Sequence, residues 1–223
     1  MANIFSLFQS KKQNTQMKIY DVENFPNPVR VRIALAEKNA FDQVEFIPVD
    51  VMNGEHRTAA FRAKNPDAAV PCLELEDGTT ISQCTAITEY IDAKFEGPSL
   101  TGGTDPKQRG LVHMMNRRAE AGLLDAVGDY FHHATPGLGP ELETYQNADW
   151  GNRRKGVATQ TMGYLDSVLA RQPYLAGQDF SMADITAFAG LAFADFACVD
   201  IPARLTNLNA WRGRVASRPS CGG

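Results

Sequence analysis

Residues 18–38 read KIYDVENFPNPVRVRIALAEK, a short strand-like run followed by a helical one that opens on two prolines. Lys18 to Asp21 has the length and apolar content of a strand, and Asn27-Pro28 suits a helix start, with Asn27 as N-cap and Pro28 at the first helical position, where its missing N–H is no loss. The helix is expected to run to about Lys38 with Val29, Ile33 and Ala36 on one face, and Asn39 can end it in the left-handed conformation. One β-α unit is thereby placed.

Working outward, Val44, Phe46, Pro48 and Val49 mark a second strand, and the polar, alanine-containing stretch from Glu55 to Lys64 reads as the next helix. Cys72 to Leu75 and Thr79 to Ile81 are two strands joined by Glu76-Asp77-Gly78, in which Asp-Gly is a strong hairpin signal. From Gln83 the spacing of Ala86, Ile87, Tyr90, Ile91 and Phe95 is helical, so the order is βαβ-α-ββα. Gly97 to Pro106 is rich in Gly, Pro, Ser and Thr, and nothing after it alternates like a strand. Helices are expected over Lys107 to about His133, Trp150 to Arg171 and Met182 to Ala197, with a last one ending near Val215. Ser181 and Asp184 have capping-box spacing, flanked by Phe180 and Ile185 as a hydrophobic staple; the helix they open is apolar nearly all round and belongs in the middle of its domain. The organisation expected is a polar, disordered extension over 1–16, an α/β domain over 17–97, a linker over 98–106 and an all-helical domain over 107–223.

A chain of 223 residues with 43% hydrophobic content can bury a substantial core. The net charge of −4 gives no global reason to bind nucleic acid or an anionic membrane, and no run approaches the roughly 20 apolar residues of a membrane span. The four cysteines, Cys72, Cys84, Cys198 and Cys221, have neither CxxC nor zinc-ligand spacing and fit a reducing compartment, so a cytoplasmic protein without a metal is expected. Two features of a βαβ-α-ββα domain bind small molecules. The positive end of its first helix attracts an anion, and the backbone before a loop proline, here Val70-Pro71, can pair with an extended peptide. Unpaired backbone donors at Gln83-Cys84 suit a carboxylate.

Taken in order and spacing, Phe25-Pro26-Asn27-Pro28 through Lys38, Asn65-Pro66 before Val70-Pro71, Gln83-Cys84-Thr85-Ala86-Ile87 and Phe180-Ser181-Met182-Ala183-Asp184 resemble the cytosolic glutathione transferases. The segment Tyr130 to Pro140, with His132 and His133, is similar to that of the atypical fungal members and their bacterial relatives. The resemblance implies a thioredoxin-like N-terminal domain, an all-helical C-terminal one and a homodimer. It also implies glutathione as co-substrate, conjugated to a small hydrophobic electrophile in a detoxifying reaction. It further implies a cis Val70–Pro71 bond pairing with the cysteinyl backbone of glutathione. Gln83 and Cys84 would then hold the γ-glutamyl end, and His56 and Arg57 either meet the glycyl carboxylate or are solvated residues at a helix start.

Two departures bear on catalysis. Cys84 replaces the usual serine, and a thiol is the weaker donor. Phe25 stands where cysteine-using classes have their nucleophile, and no Tyr, Ser or Cys takes its place. Asn27 could donate to the thiolate or be a pure N-cap; His132 or His133 could take the thiol proton or hold a water, or else cap their helix. The adjacent histidines point about 100° apart on a helix and make no metal site. Met114, Arg117, Arg118, Ala121 and Leu124 could line the second-substrate pocket or a dimer seam. Two rivals to the transferase are a glutathione-dependent peroxidase or disulfide reductase, which Phe25 disfavours if a protein mixed disulfide is needed, and a non-catalytic interaction module.

Overall fold

The computed structural model describes residues 16–222, so the expected extension lies outside the described residues apart from Gln16. Strand β1 (Met17–Asp21) buries Met17, Ile19 and Asp21. It pairs in parallel with β2 (Val44–Pro48) and antiparallel with β3 (Cys72–Glu74), which pairs antiparallel with β4 (Thr80–Ser82), giving the order β2-β1-β3-β4. The β3–β4 turn is closed by Gly78 at φ 85°, a backbone angle that favours glycine, and by Asp77 Oδ1, which accepts from the Thr79 N–H at 2.8 Å.

Helix α1 (Pro26–Glu37) begins two residues earlier than the sequence predicts, with Phe25 rather than Asn27 at the N-cap. Two prolines fit its first turn because both occupy positions whose N–H would lack an intrahelical partner. Its buried surface is wider than the Val29, Ile33, Ala36 stripe, taking in Val31, Ala34, Leu35 and even Arg30, because α3 (Cys84–Lys94) and α7 (Met182–Phe196) pack on different sides of it. Asn39 does take the left-handed conformation, at φ 50°. The helix expected over 55–64 is instead a 3-10 turn, Glu55–Arg57, and the single-turn α2 (Ala59–Arg62). Thr58 separates them, extended at ψ 154° while its side chain caps Phe61 N–H.

From α4 (Pro106–Ala119) onward the described chain is helical. The helix expected to run unbroken to His133 contains a π-helical turn, Glu120–Leu124, before α5 (Asp125–Ala134). Helix α6 (Ala148–Leu169), capped by Asn147, packs on α5, and Gly151 marks the contact: a Cβ there would lie 2.8 Å from the Ala134 Cβ. The capping box that opens α7 is formed, and Asp184 goes further. Its buried carboxylate also accepts from Leu175 N–H and Trp211 Nε1, each at 3.0 Å, tying α7 to the preceding loop and to α8 (Thr206–Ala216). The two halves are joined by α1 against α7 and by Lys38, whose buried ammonium sits 2.7 Å from Asp92 while Asp92 holds the linker backbone at Leu100 and Thr101. No helix among the described residues is long and apolar enough to cross a membrane.

Candidate functional site

Where α1 meets α5 and α7 lies a cleft of about 450 Å³, floored by residues 24–29 and Val70 and walled by Leu124, Gly128, Phe131 and His132 of the long helix and Phe193 and Phe196 of α7. Its donors at the floor are few. Pro26 and Pro28 carry no N–H, the Phe25 N–H goes to Val22 O at 3.0 Å, and the Val29 N–H goes to Phe25 O at 3.0 Å. The Asn27 N–H is therefore the one first-turn donor without a partner among the described residues, and it sits at the positive end of the helix. The Asn27 side chain is exposed; its Oδ1 accepts from Arg30 Nη1 at 2.9 Å, which leaves its amide N–H groups to the cleft side. The N-cap role expected for Asn27 is overturned by the earlier helix start, but its position beside the cleft is kept.

Val70–Pro71 is cis, and Val70 borders the cleft. Gln83 is the N-cap of α3 at φ 70°, and its side-chain amide donates to Asp67 Oδ2 at 2.8 Å. Cys84 turns inward: it is 5% exposed, and its Sγ lies 3.4 Å from the carbonyl oxygen of Asn27. Burial pushes its thiol up to about 11, so it stays protonated and turned away from any ligand. What the start of α3 offers an anion is backbone: the N–H groups of Cys84 and Thr85 have no acceptor among the described residues.

His56 and Arg57 are not brought to this cleft. Arg57 Nη2 is spent on Leu142 O at 2.7 Å, a tie between the 3-10 turn and the loop before α6. His56 is buried with an unpartnered Nδ1, and burial, then the charges of Arg57 and Arg62, hold it below its ordinary value, so it is a neutral group near pH 7.

The two adjacent histidines separate sharply. His132 lines the cleft, and its Nδ1 is 2.7 Å from Glu143 Oε1, a carboxylate oxygen that also accepts the Leu138 N–H at 2.8 Å. With Nδ1 donating to the carboxylate, Nε2 is the basic nitrogen. His133 points elsewhere: its Nδ1 accepts the Asn147 N–H at 3.2 Å beside Tyr145, a structural role at the start of α6. Above His132, Phe131 packs against Phe193 and Phe196 with ring centroids 5.5 and 5.6 Å apart, and Phe196 remains 71% exposed, so an aromatic wall faces the cleft with one ring uncovered. Gly128 lines the same side of the cleft, where a Cβ would reach ordinary contact with the Phe193 ring at 3.5 Å. Of the five residues expected along the first long helix, Leu124 reaches the cleft, while Arg117, Arg118 and Ala121 face a groove shared with Gly122 and Tyr164. Glu143 and the α7 phenylalanines were not singled out from sequence: Glu143 lies 11 positions from its partner in an irregular loop, and the phenylalanines belong to a helix read as purely structural.

The chain matches two family models, "Glutathione S-transferase, N-terminal domain" over residues 26–94 and "Glutathione S-transferase, C-terminal domain" over residues 148–214. It is 53% identical over 210 residues to Glutathione S-transferase 2 of Saccharomyces cerevisiae, covering 94% of this chain and 90% of that protein. Among solved structures, a glutathione S-transferase domain-containing protein of Marinobacter aquaeolei VT8 is 67% identical with a TM-score of 0.90, covering 92% of this chain and 99% of that one. Gtt2 from Saccharomyces cerevisiae is 52% identical with a TM-score of 0.89, covering 92% and 98%.

Proposed function

The chain belongs to the glutathione S-transferase family, and from that premise we propose that it binds glutathione with the thiol at the start of α1 and conjugates it to an apolar electrophile lying against Phe131, Phe193 and Phe196. The observation that carries the reading is the pairing of two donors of Asn27 with the His132 imidazole across one cleft. A free thiol titrates near about 8.5, and a helix N-terminus with aimed donors lowers that value, so thiolate becomes abundant at neutral pH. The proton leaves to His132 Nε2 directly or through a water, while Glu143 holds Nδ1 and so fixes which nitrogen is basic. The thiolate sulfur then forms the bond to the electrophilic carbon, whose leaving group departs with its electron pair. The protein contributes no nucleophile: Phe25 occupies the slot at the head of α1, and Cys84 is buried. This favours conjugation over a peroxidase or reductase that passes through a protein mixed disulfide.

Glutathione itself would be held by the Val70 backbone before cis Pro71, by the N–H groups that open α3, and by Gln83 braced on Asp67. A homodimer in a reducing, glutathione-containing compartment is part of the proposal, supported by the exposed Met114 and the Arg118–Tyr164 groove on α4 and α6. The test is steady-state conjugation of glutathione to an activated aryl chloride. Competition by S-hexylglutathione and a large loss of kcat in His132→Ala are expected; wild-type turnover equal to the buffer rate refutes the reading.

A further inference from the structure

Arg30 lies in the second turn of α1 with only 4% of its side chain exposed, a costly place for a charge unless it is paired. Its Nη2 meets Glu120 Oε1 at 2.8 Å, at the head of the π-helical turn. That ion pair accounts for one arm of the guanidinium as a bridge between the two halves. It does not account for the other arm, Nη1, which donates to Asn27 Oδ1 at 2.9 Å.

Arginine has donors only, so the atom of the Asn27 amide that faces it must be the oxygen, and the NH2 is turned the opposite way. Among the described residues Asn27 Nδ2 makes no hydrogen bond, and Asn27 borders the cleft. The Cys84 thiol, with Sγ 3.6 Å from the same oxygen, is a second but weaker donor to it. Without the Arg30 arm only that thiol would oppose a swing of the oxygen toward the cleft, which would present a thiolate with an acceptor instead of a donor. Glu120 compensates the Arg30 charge and holds the guanidinium in place, its other carboxylate oxygen being 3.5 Å from Arg117 Nη1. We propose that Arg30 is a positioning residue for thiolate formation: held by Glu120, it locks the Asn27 side chain with its amide donors toward the glutathione sulfur. The proposal rests on the glutathione-transferase reading above.

The test is the pKa of the bound glutathione thiol, read from thiolate absorbance across pH, in wild type, Asn27→Ala, Arg30→Met, Arg30→Lys and the Asn27→Ala/Arg30→Met double variant. One charge-assisted hydrogen bond lost should raise the bound thiol by about one unit, and lower kcat/KM below that pKa by about tenfold. The expected pattern is that Asn27→Ala and Arg30→Met each produce this rise and that the double variant shows no more than Asn27→Ala alone. Arg30→Lys, which keeps the charge but not the fork, is expected to rise as well, and it carries the test should Arg30→Met fail to fold. If Arg30→Met lowers the melting temperature and leaves the thiol pKa at the wild-type value, the role is structural and the proposal is overturned. It is equally overturned if the two single effects add, or if Arg30→Lys matches wild type, since Arg30 would then act through its charge. If Asn27→Ala leaves a lowered wild-type pKa unchanged, this inference falls and the transferase reading stands. An unlowered thiol in wild type refutes that reading itself.

Discussion

Asp184→Asn should destabilise the fold by an amount that depends on pH. The carboxylate is wholly buried and accepts from Leu175 N–H, Ser181 N–H, Ser181 Oγ and Trp211 Nε1, all within 3.1 Å. An amide oxygen can serve two of these donors at most, and the amide nitrogen then confronts the others. Two buried donors left without an acceptor cost about 1–3 kcal/mol each, so the variant should lose roughly 2–6 kcal/mol at pH 7.5. The loss should also depend on pH. Burial pushes the Asp184 carboxyl from 3.8 up to about 6, against the opposing pull of its hydrogen bonds. A carboxyl raised by folding holds its proton more tightly in the folded chain, so its contribution to stability is greatest below about pH 4 and is lost as the pH rises through about 6. That gap amounts to on the order of 3 kcal/mol. Urea unfolding at fixed protein concentration, followed by fluorescence of the buried Trp211, should therefore give a wild-type advantage that is larger at pH 4 than at pH 7.5. Subtracting the variant removes the titration of every other group. An advantage that grows toward pH 7.5 would refute the reasoning, because it would mean that the four donors stabilise the anion by more than burial costs. The outcome bears on function, since α7 carries Phe193 and Phe196 into the cleft.

Three further outcomes follow from the same geometry. Glu143→Gln should leave the glutathione KM nearly unchanged and lower kcat by roughly ten- to a hundredfold, part of the 10²–10⁴ that a positioned acid–base group supplies, with no added loss in a background that already carries His132→Ala; steady-state kinetics of the three variants decide it. Gly151→Ala drives a Cβ to 2.9 Å from the Ala134 backbone nitrogen, which cannot yield as a side chain would, and should cost about 1–3 kcal/mol in a thermal or urea melt. Thiol labelling followed by mass spectrometry should modify exposed Cys198 in the native protein and spare Cys72 and Cys84, whose thiols burial pushes up to about 11, until the chain is unfolded.

What the sequence made legible is whatever local chemistry decides. Asp77-Gly78 forms the turn, Asn39 the left-handed helix end, and Ser181 with Asp184 the capping box, because each is set by a few adjacent residues. The α1 start is misread from sequence because Asn27-Pro28 fits the capping pattern by residue type, whereas the helix opens at Phe25-Pro26 with no side-chain cap and holds a second proline at its third position. The π turn at Glu120–Leu124 leaves no residue signature, yet it lies between the part of the long helix facing the outer groove and the part that lines the cleft. The partners of the candidate site were the least visible. Arg30 to Glu120, Arg57 to Leu142 and His132 to Glu143 are long-range or loop pairings, and they decide that Asn27 and His132 face the cleft while Arg57 does not.

The central claim is that this cleft makes glutathione a thiolate at neutral pH. The direct measurement is a spectroscopic pH titration of wild-type protein saturated with reduced glutathione, set against a blank with S-methylglutathione, which has no ionisable thiol. The account expects the bound thiol to titrate one or more units below its free value of about 8.5. Binding that leaves the thiol at or above the free value would contradict it.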